Sequence, residues 1–302
     1  MHLTGNHIGR SSGFRKRMLI VAMTLPVPLA IASPAAALTH HPQGSYASFA
    51  DCPLSNNAVE LCTVANTTSG EITVGDRRVP IAKTLRLQGG LVENAQESEF
   101  EFVAAEDGNT MSKTAMTVPG GLLGIEAPRW WPTILRELFN KTVISGKMTG
   151  VTETTELAEP ASAIKLNTTN LITREGVAMK LPVKIKLSNA FLGSECYIGS
   201  SSSPIVLNLM TGTTSPPGPN KPISGRLGTL ELLEGVISIG GNSLVDNAFS
   251  TPGANGCGGL FAPLVDQLVD SIVDVPSAAG HNTATLNGKL EVAAPEAIRA
   301  SE

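Results

Sequence analysis

A period-two alternation of apolar and polar residues recurs along the chain, and it restricts the fold more than any other feature. Phe100-Glu101-Phe102-Val103, Val183-Lys184-Ile185-Lys186-Leu187 and Ile205-Val206-Leu207-Asn208-Leu209 are the clearest runs. Successive side chains of a strand point to opposite faces, so Lys184 and Lys186 are expected in solvent and Val183, Ile185 and Leu187 in a core. Gly, Thr, Ser, Pro and Asn crowd the intervals between such runs, as turns joining many short strands require. Aromatics make up only 4% of the chain, so the 42% that is hydrophobic must build its core from Val, Leu, Ile and Ala.

Two segments carry helical spacing instead. Pro132 to Thr142 places Ile134, Leu135, Leu138 and Phe139 on one stripe, with Pro132 suited to a first turn. Leu260 to Val273 places Phe261, Leu264, Val265, Leu268, Val269 and Ile272 on another. Both are expected to cover an open end or face of the sheet.

The order of features repeats. Asn66-Thr67-Thr68 recurs as Asn167-Thr168-Thr169, each followed by an alternating strand. Gly108 to Gly120 (GNTMSKTAMTVPG) matches Gly241 to Gly253 (GNSLVDNAFSTPG). A Gly-Gly-Leu follows each, at Gly120-Gly121-Leu122 and Gly258-Gly259-Leu260. The widening offset implies an insertion in the second copy, placed at the Pro-rich Ser215 to Asn220 and the hairpin-like Ile223 to Ile239. The expected architecture is mainly β: two tandem antiparallel β-sandwich-like modules, residues 46–160 and 161–302, each with one amphipathic helix.

Residues 1–37 read as an export signal. Arg10, Arg15, Lys16 and Arg17 precede an apolar run from Met18 to Ile31, and Ala35-Ala36-Ala37 supplies a small-residue cleavage site. The run is too short, and too interrupted by Pro26 and Pro28, to span a bilayer. Cleavage after Ala37 would release a secreted protein with a flexible tail, residues 38–45, and no membrane span. The signal holds four of the 22 Lys and Arg and none of the 26 Asp and Glu, so the remainder carries 18 against 26, a net charge of −8. That excess argues against nucleic acid and against anionic lipid as a partner. The four cysteines, Cys52, Cys62, Cys196 and Cys257, form an even set in an exported chain and read as two disulfides. Three pairings are open; a local clip Cys52–Cys62 with a long bridge Cys196–Cys257 is preferred. Metal ligation fails on spacing, since there is no C-x-x-C and no nearby His pair.

No catalytic residue, cofactor or metal site is assigned. His281 is the one histidine after residue 41, and Ser200 to Ser203 lacks the second Gly of a nucleophile elbow, so a secreted hydrolase is the weakest reading. Asp266, Asp270 and Asp274 recur every four residues and read as the solvated face of a helix, not as a cation site. Glu153, Glu156 and Glu159 read as exposed charges. The candidate binding residues are apolar. Trp130-Trp131 is the only aromatic pair, suited if exposed to a sugar-stacking or membrane-interface anchor and if buried to a staple at a helix entry. Phe261, Leu264 and Leu268 would line a lid over an apolar pocket.

Cys196-Tyr197-Ile198-Gly199-Ser200, Pro204 to Leu207, Thr211 to Pro217 and Gly256-Cys257-Gly258-Gly259-Leu260 resemble a group of uncharacterised secreted proteins of actinobacteria. The resemblance covers about Tyr46 to Glu302. It implies export from a Gram-positive cell and fits paired Cys196 and Cys257, but conveys no activity. The leading expectation is a secreted, disulfide-stabilised, non-enzymatic protein with a structural or interaction role at or outside the cell surface. Its partner would be a cell-surface protein. The alternative is an extracellular carrier of a small apolar ligand.

Overall fold

The alternating runs become strands of a large antiparallel sheet. A computed structural model describes residues 40–125, 127–139, 141–142 and 149–302; the expected export signal lies outside them. The strands are β1 (Leu61–Val74), β2 (Arg77–Pro80), β3 (Leu85–Asn94), β4 (Glu99–Ala104), β5 (Ala115–Thr117), β6 (Thr152–Leu157) and β7 (Lys165–Leu166). There follow β8 (Met179–Ser188), β9 (Tyr197–Ile198), β10 (Ile205–Leu209), β11 (Thr229–Leu233), β12 (Val236–Asp246), β13 (Ala254–Asn255) and β14 (Thr283–Ala293). The α-helices described are α1 (Thr133–Phe139), α2 (Thr168–Thr173), α3 (Ala262–Val273) and α4 (Pro295–Ala300).

The main path of the sheet runs β11-β12-β14-β1-β3-β4-β7-β8-β6-β5, with β9 and β10 also on β8, β13 on β9 and β2 on β1. This order interleaves the two halves of the sequence. The closing strand of the second half, β14, pairs with the opening strand of the first, β1. The closing strand of the first half, β6, pairs with β8 of the second. Residues 37–302 accordingly form one contact unit, and the expected boundary near Pro160 falls in a short 3-10 turn between two strands of the same sheet. Two separate sandwiches do not emerge, because each half supplies hydrogen-bonding edges that the other half fills.

Two β-bulges decide which side chains meet. On β1 the register shifts between Thr67 and Ser69, and on β12 between Gly240 and Asn242. One extra residue flips the facing of everything after it. Before the bulge of β1, Cys62 and Val64 enter a small cluster; after it, Ile72 and Val74 enter the main core. β12 behaves alike, with Val236 in the small cluster and Leu244 in the main core. β14 lies between them, and neither shift breaks its own alternation: Ala284 and Leu290 face the main core and Ala293 the small one. The main core also takes Val183, Ile185 and Leu187 of β8 and Ile205, Leu207 and Leu209 of β10, so the halves of the sheet share one interior. Lys184 and Lys186 point the other way and lie over the Tyr197 ring, 4.6 and 5.4 Å from its centroid.

Both disulfides follow the preferred pairing. Cys52–Cys62 sits in the small cluster with Phe49, Leu54 and Ile298 of α4, and Cys196–Cys257 lies within the main core. The hairpin anticipated in the insertion is β11–β12, closed by Glu234 and Gly235, both at positive φ (49° and 85°). Two such residues make the turn whose twist matches that of antiparallel strands. The segment expected as a flexible tail is tied down from His40 onward: His40 Nδ1 lies 2.8 Å from Glu302 Oε1, and the Gln43 N–H donates to Ser301 Oγ at 3.3 Å.

Candidate functional site

The amphipathic helix α3 is rotated relative to the sequence expectation. At 100° per residue its apolar positions span a broad arc, with Leu264 and Leu268 on one flank and Val265, Val269 and Val273 on the other. The valine flank is the one that packs inward, with Val269 and Val273 buried. The aspartates select this rotation. Asp266 Oδ1 accepts the Cys257 N–H at 2.7 Å and its Oδ2 the Gly256 N–H at 3.3 Å, while Asp270 Oδ1 accepts the Ala254 N–H at 2.6 Å. The loop 254–257 would otherwise carry unpaired backbone donors beside the Cys196–Cys257 bridge, and a part-buried donor left unpaired costs more than a hydrogen bond gains. Asp266 and Asp270 are therefore loop-binding groups and not a solvated face, while Asp274 ends the helix in the left-handed region (φ 63°).

The consequence is an outward apolar surface. Leu260 is 98% exposed, Leu264 71%, and Phe261 and Leu268 are likewise exposed. Among the described residues they do not close over a ligand-sized space: the spaces described beneath α3 have volumes of about 30 and 40 Å³, enough for a water molecule. α1 shows the same inversion: it has no buried residue, and Ile134 (78%), Leu135 and Leu138 face solvent. Trp130, just ahead of it, is 81% exposed. Trp131 instead packs edge-on against Phe139, with ring centroids 5.7 Å apart, and so acts as the staple of the helix.

Arg77 ties the two segments. From the start of β2, its guanidinium donates to the Ile272 carbonyl in the last turn of α3 (Nε at 3.0 Å, Nη2 at 2.6 Å) and to Gly124 O at 3.2 Å, just after the 3-10 turn Gly121–Leu123. A cation there also meets the negative end of the helix dipole. The two Gly-Gly-Leu turns share their backbone form: Gly120 and Gly258 precede them at φ 80° and 78°, and Gly121 and Gly259 follow at 52° and 57°. On the far side of α3, the Gly258 N–H donates to Leu192 O at 2.7 Å, which brings the loop carrying exposed Phe191 alongside.

The other candidates take different places. His281 is an exposed turn residue whose N–H donates to Ala278 O at 3.2 Å. Its neighbour Asn282 is the buried one, with Oδ1 accepting from the Gly75 N–H and Ser277 Oγ and Nδ2 donating to Phe249 O. Ser200 to Ser203 fold into a turn closed on itself, with the Ser203 N–H donating to Ser200 Oγ at 3.1 Å. Glu153 departs most from expectation. It faces the core from β6, opposite Met116 and Leu187, and is 3% exposed. Its Oε1 has no hydrogen-bond partner among the described residues, and burial pushes its pKa up to about 7. In a space lined mainly by Val, Ile and Leu, with Arg77 also on its wall, the carboxyl stays the neutral acid up to about pH 7. The alternation of β6 could have located it, since Glu153 and Thr155 share one face and Glu156 the other, but not told which face is inner.

Known protein families, characterised proteins and solved structures all return no match to the chain. Among the described residues no helix is long and apolar enough to cross a membrane.

Proposed function

We propose that the protein is an exported, disulfide-braced, non-enzymatic protein that acts by adhesion at the cell surface through the apolar outer sides of α1 and of residues 259–273. The observation that carries this reading is the outward placement of Trp130, Ile134, Leu260, Phe261, Leu264 and Leu268. Large apolar patches rimmed by polar residues on a folded protein mark contact sites. The two disulfides suit an oxidising compartment. Export through a cleaved signal at residues 1–37, an origin among secreted actinobacterial proteins, and descent from a duplicated module belong to the same reading; the matching Gly-Gly-Leu turns support the duplication.

Fractionation of the producing cells tests it. The wild-type chain is expected in the envelope fraction, and Leu264→Ser/Leu268→Ser is expected to shift into the medium at unchanged total yield. Equal partition of the two proteins would overturn the reading.

A further inference from the structure

Along β11 the sheet ends in an open edge. Among the described residues no strand lies beyond β11, and every residue from Thr229 to Leu233 is exposed, Leu232 by 70%. The two-residue turn Glu234-Gly235 fixes which backbone groups that edge offers. The pair Leu233–Val236 beside such a turn exchanges both of its hydrogen bonds, and hydrogen-bonded and open pairs then alternate along the hairpin. Glu231 and Thr229 therefore turn their N–H and C=O groups toward β12, and Leu230 and Leu232 turn theirs outward. Water satisfies such groups singly, but a row of donors and acceptors at strand spacing is the template for another extended strand. The side chains add to it. Leu230 and Leu232 share a face with Ile239 and Ile237, directly across from them on β12, and Ile237 is itself exposed.

We infer that β11 pairs antiparallel with β11 of a second copy of this chain, about a twofold axis centred on Glu231. The pattern of the strand selects a copy as the occupant. In this register Leu230 lies opposite the partner's Leu232 and Leu232 opposite the partner's Leu230, each pair exchanging both hydrogen bonds, so every outward group of the strand is used. A slip by two residues pairs only Leu230 or only Leu232 with itself and leaves the other leucine's groups open. The copy also continues the apolar face: Ile237 and Leu232 are followed across the junction by the partner's Leu230 and the partner's Ile239. Pairing with β5, at the other end of the sheet, offers only three residues and leaves a free β11 on every assembly, whereas the twofold pair closes. One term opposes it. On the other face Glu231 meets the partner's Glu231, and like charges directly opposed weaken a strand pair. The dimer is therefore weak, and residue 231 sets its strength.

Sedimentation velocity of the purified protein, from about 1 µM to about 1 mM, tests the inference. The wild type is expected to pass reversibly from monomer to dimer and no further. Glu231→Gln should tighten the dimer about fivefold, the equivalent of about 1 kcal/mol of repulsion removed. Wild type mixed with Glu231→Lys should form the mixed dimer in preference to either self-dimer, which requires residue 231 to lie opposite itself. Leu232→Pro removes an outward N–H and none that bonds β12, so it should abolish dimerisation while the chain still unfolds cooperatively in urea. Both Glu231 variants change an exposed side chain, so they decide the matter even if the proline variant does not fold. Leu264→Ser/Leu268→Ser should leave the dimer intact, because the face proposed for adhesion takes no part in it; the two readings stand or fall separately. A monomer at every concentration, growth beyond the dimer, a folded Leu232→Pro variant that associates like wild type, loss of the dimer in the Leu264/Leu268 variant, or no preference for the mixed pair overturns the inference.

Discussion

Replacing Glu153 with Gln should remove a pH dependence that the rest of the fold leaves in place. The Glu153 carboxyl has a pKa of about 7 in the folded chain against an ordinary value of 4.5, because burial disfavours its charged form. A difference of two and a half units corresponds to about 3 kcal/mol. The direction follows from proton counting. Below pH 4.5 the group is neutral whether the chain is folded or not, and it costs nothing extra. Between 4.5 and 7 the unfolded chain ionises first, so unfolding releases a proton and stability falls as pH rises. Above 7 the full cost is present. Gln is neutral at every pH and nearly isosteric, so the difference between the two proteins isolates this one titration; Asp246, whose pKa burial also raises, contributes equally to both and cancels. Urea unfolding with disulfides intact, between about pH 4 and pH 8, should show the Gln variant gaining about 3 kcal/mol on the wild type across that range. A difference that stays flat, or that moves in favour of the wild type as pH rises, would refute the placement of this carboxyl in the core.

Other outcomes follow from the same structure. The bridge Cys196–Cys257 closes 61 residues and Cys52–Cys62 closes 10, so loop entropy predicts losses of about 4 and about 3 kcal/mol on removing each pair, read from urea midpoints of the double-serine variants. Arg77→Met keeps the aliphatic stem but leaves the Ile272 and Gly124 carbonyls unpaired. It should cost about 1–3 kcal/mol and raise amide exchange selectively in the last turn of α3. Asp266→Ala strips acceptors from the Gly256 and Cys257 N–H groups and should cost a similar amount, about 1–3 kcal/mol, with accelerated exchange at those two amides and unchanged exchange in β1 and β14.

The strands were legible because a half-buried strand writes its geometry into alternation. Ile205–Leu209 in β10 and the run Val183 to Leu187 within β8 are placed as their period-two pattern predicts, with the lysines outward. The cysteines were legible as a pair of bridges from their even count and local spacing. The rotation of α3 was not, since Leu264, Leu268, Val265 and Val269 are equally apolar and the pattern offers two faces to bury. Asp266 and Asp270 resolved that choice through backbone donors 9 to 16 residues away, which no periodicity reports. Glu153 was misread for the complementary reason: a Thr- and Glu-rich strand looks solvated by composition, and only its position between β5 and β8 buries it.

Composition and order along the chain by themselves determined a mainly β protein with an aliphatic core, two bridges and two helical segments. The interleaving of its halves was decided in three dimensions, because a strand edge is satisfied by whichever edge lies beside it, irrespective of distance in sequence. β14 therefore completes β1 and β6 completes β8. The bulges at Thr67–Ser69 and Gly240–Asn242 then set which alternate residues face the shared core. The outward apolar face arose the same way: hydrophobic periodicity says that a helix has an apolar side, and only the hydrogen bonds and packing around that helix say where the side points.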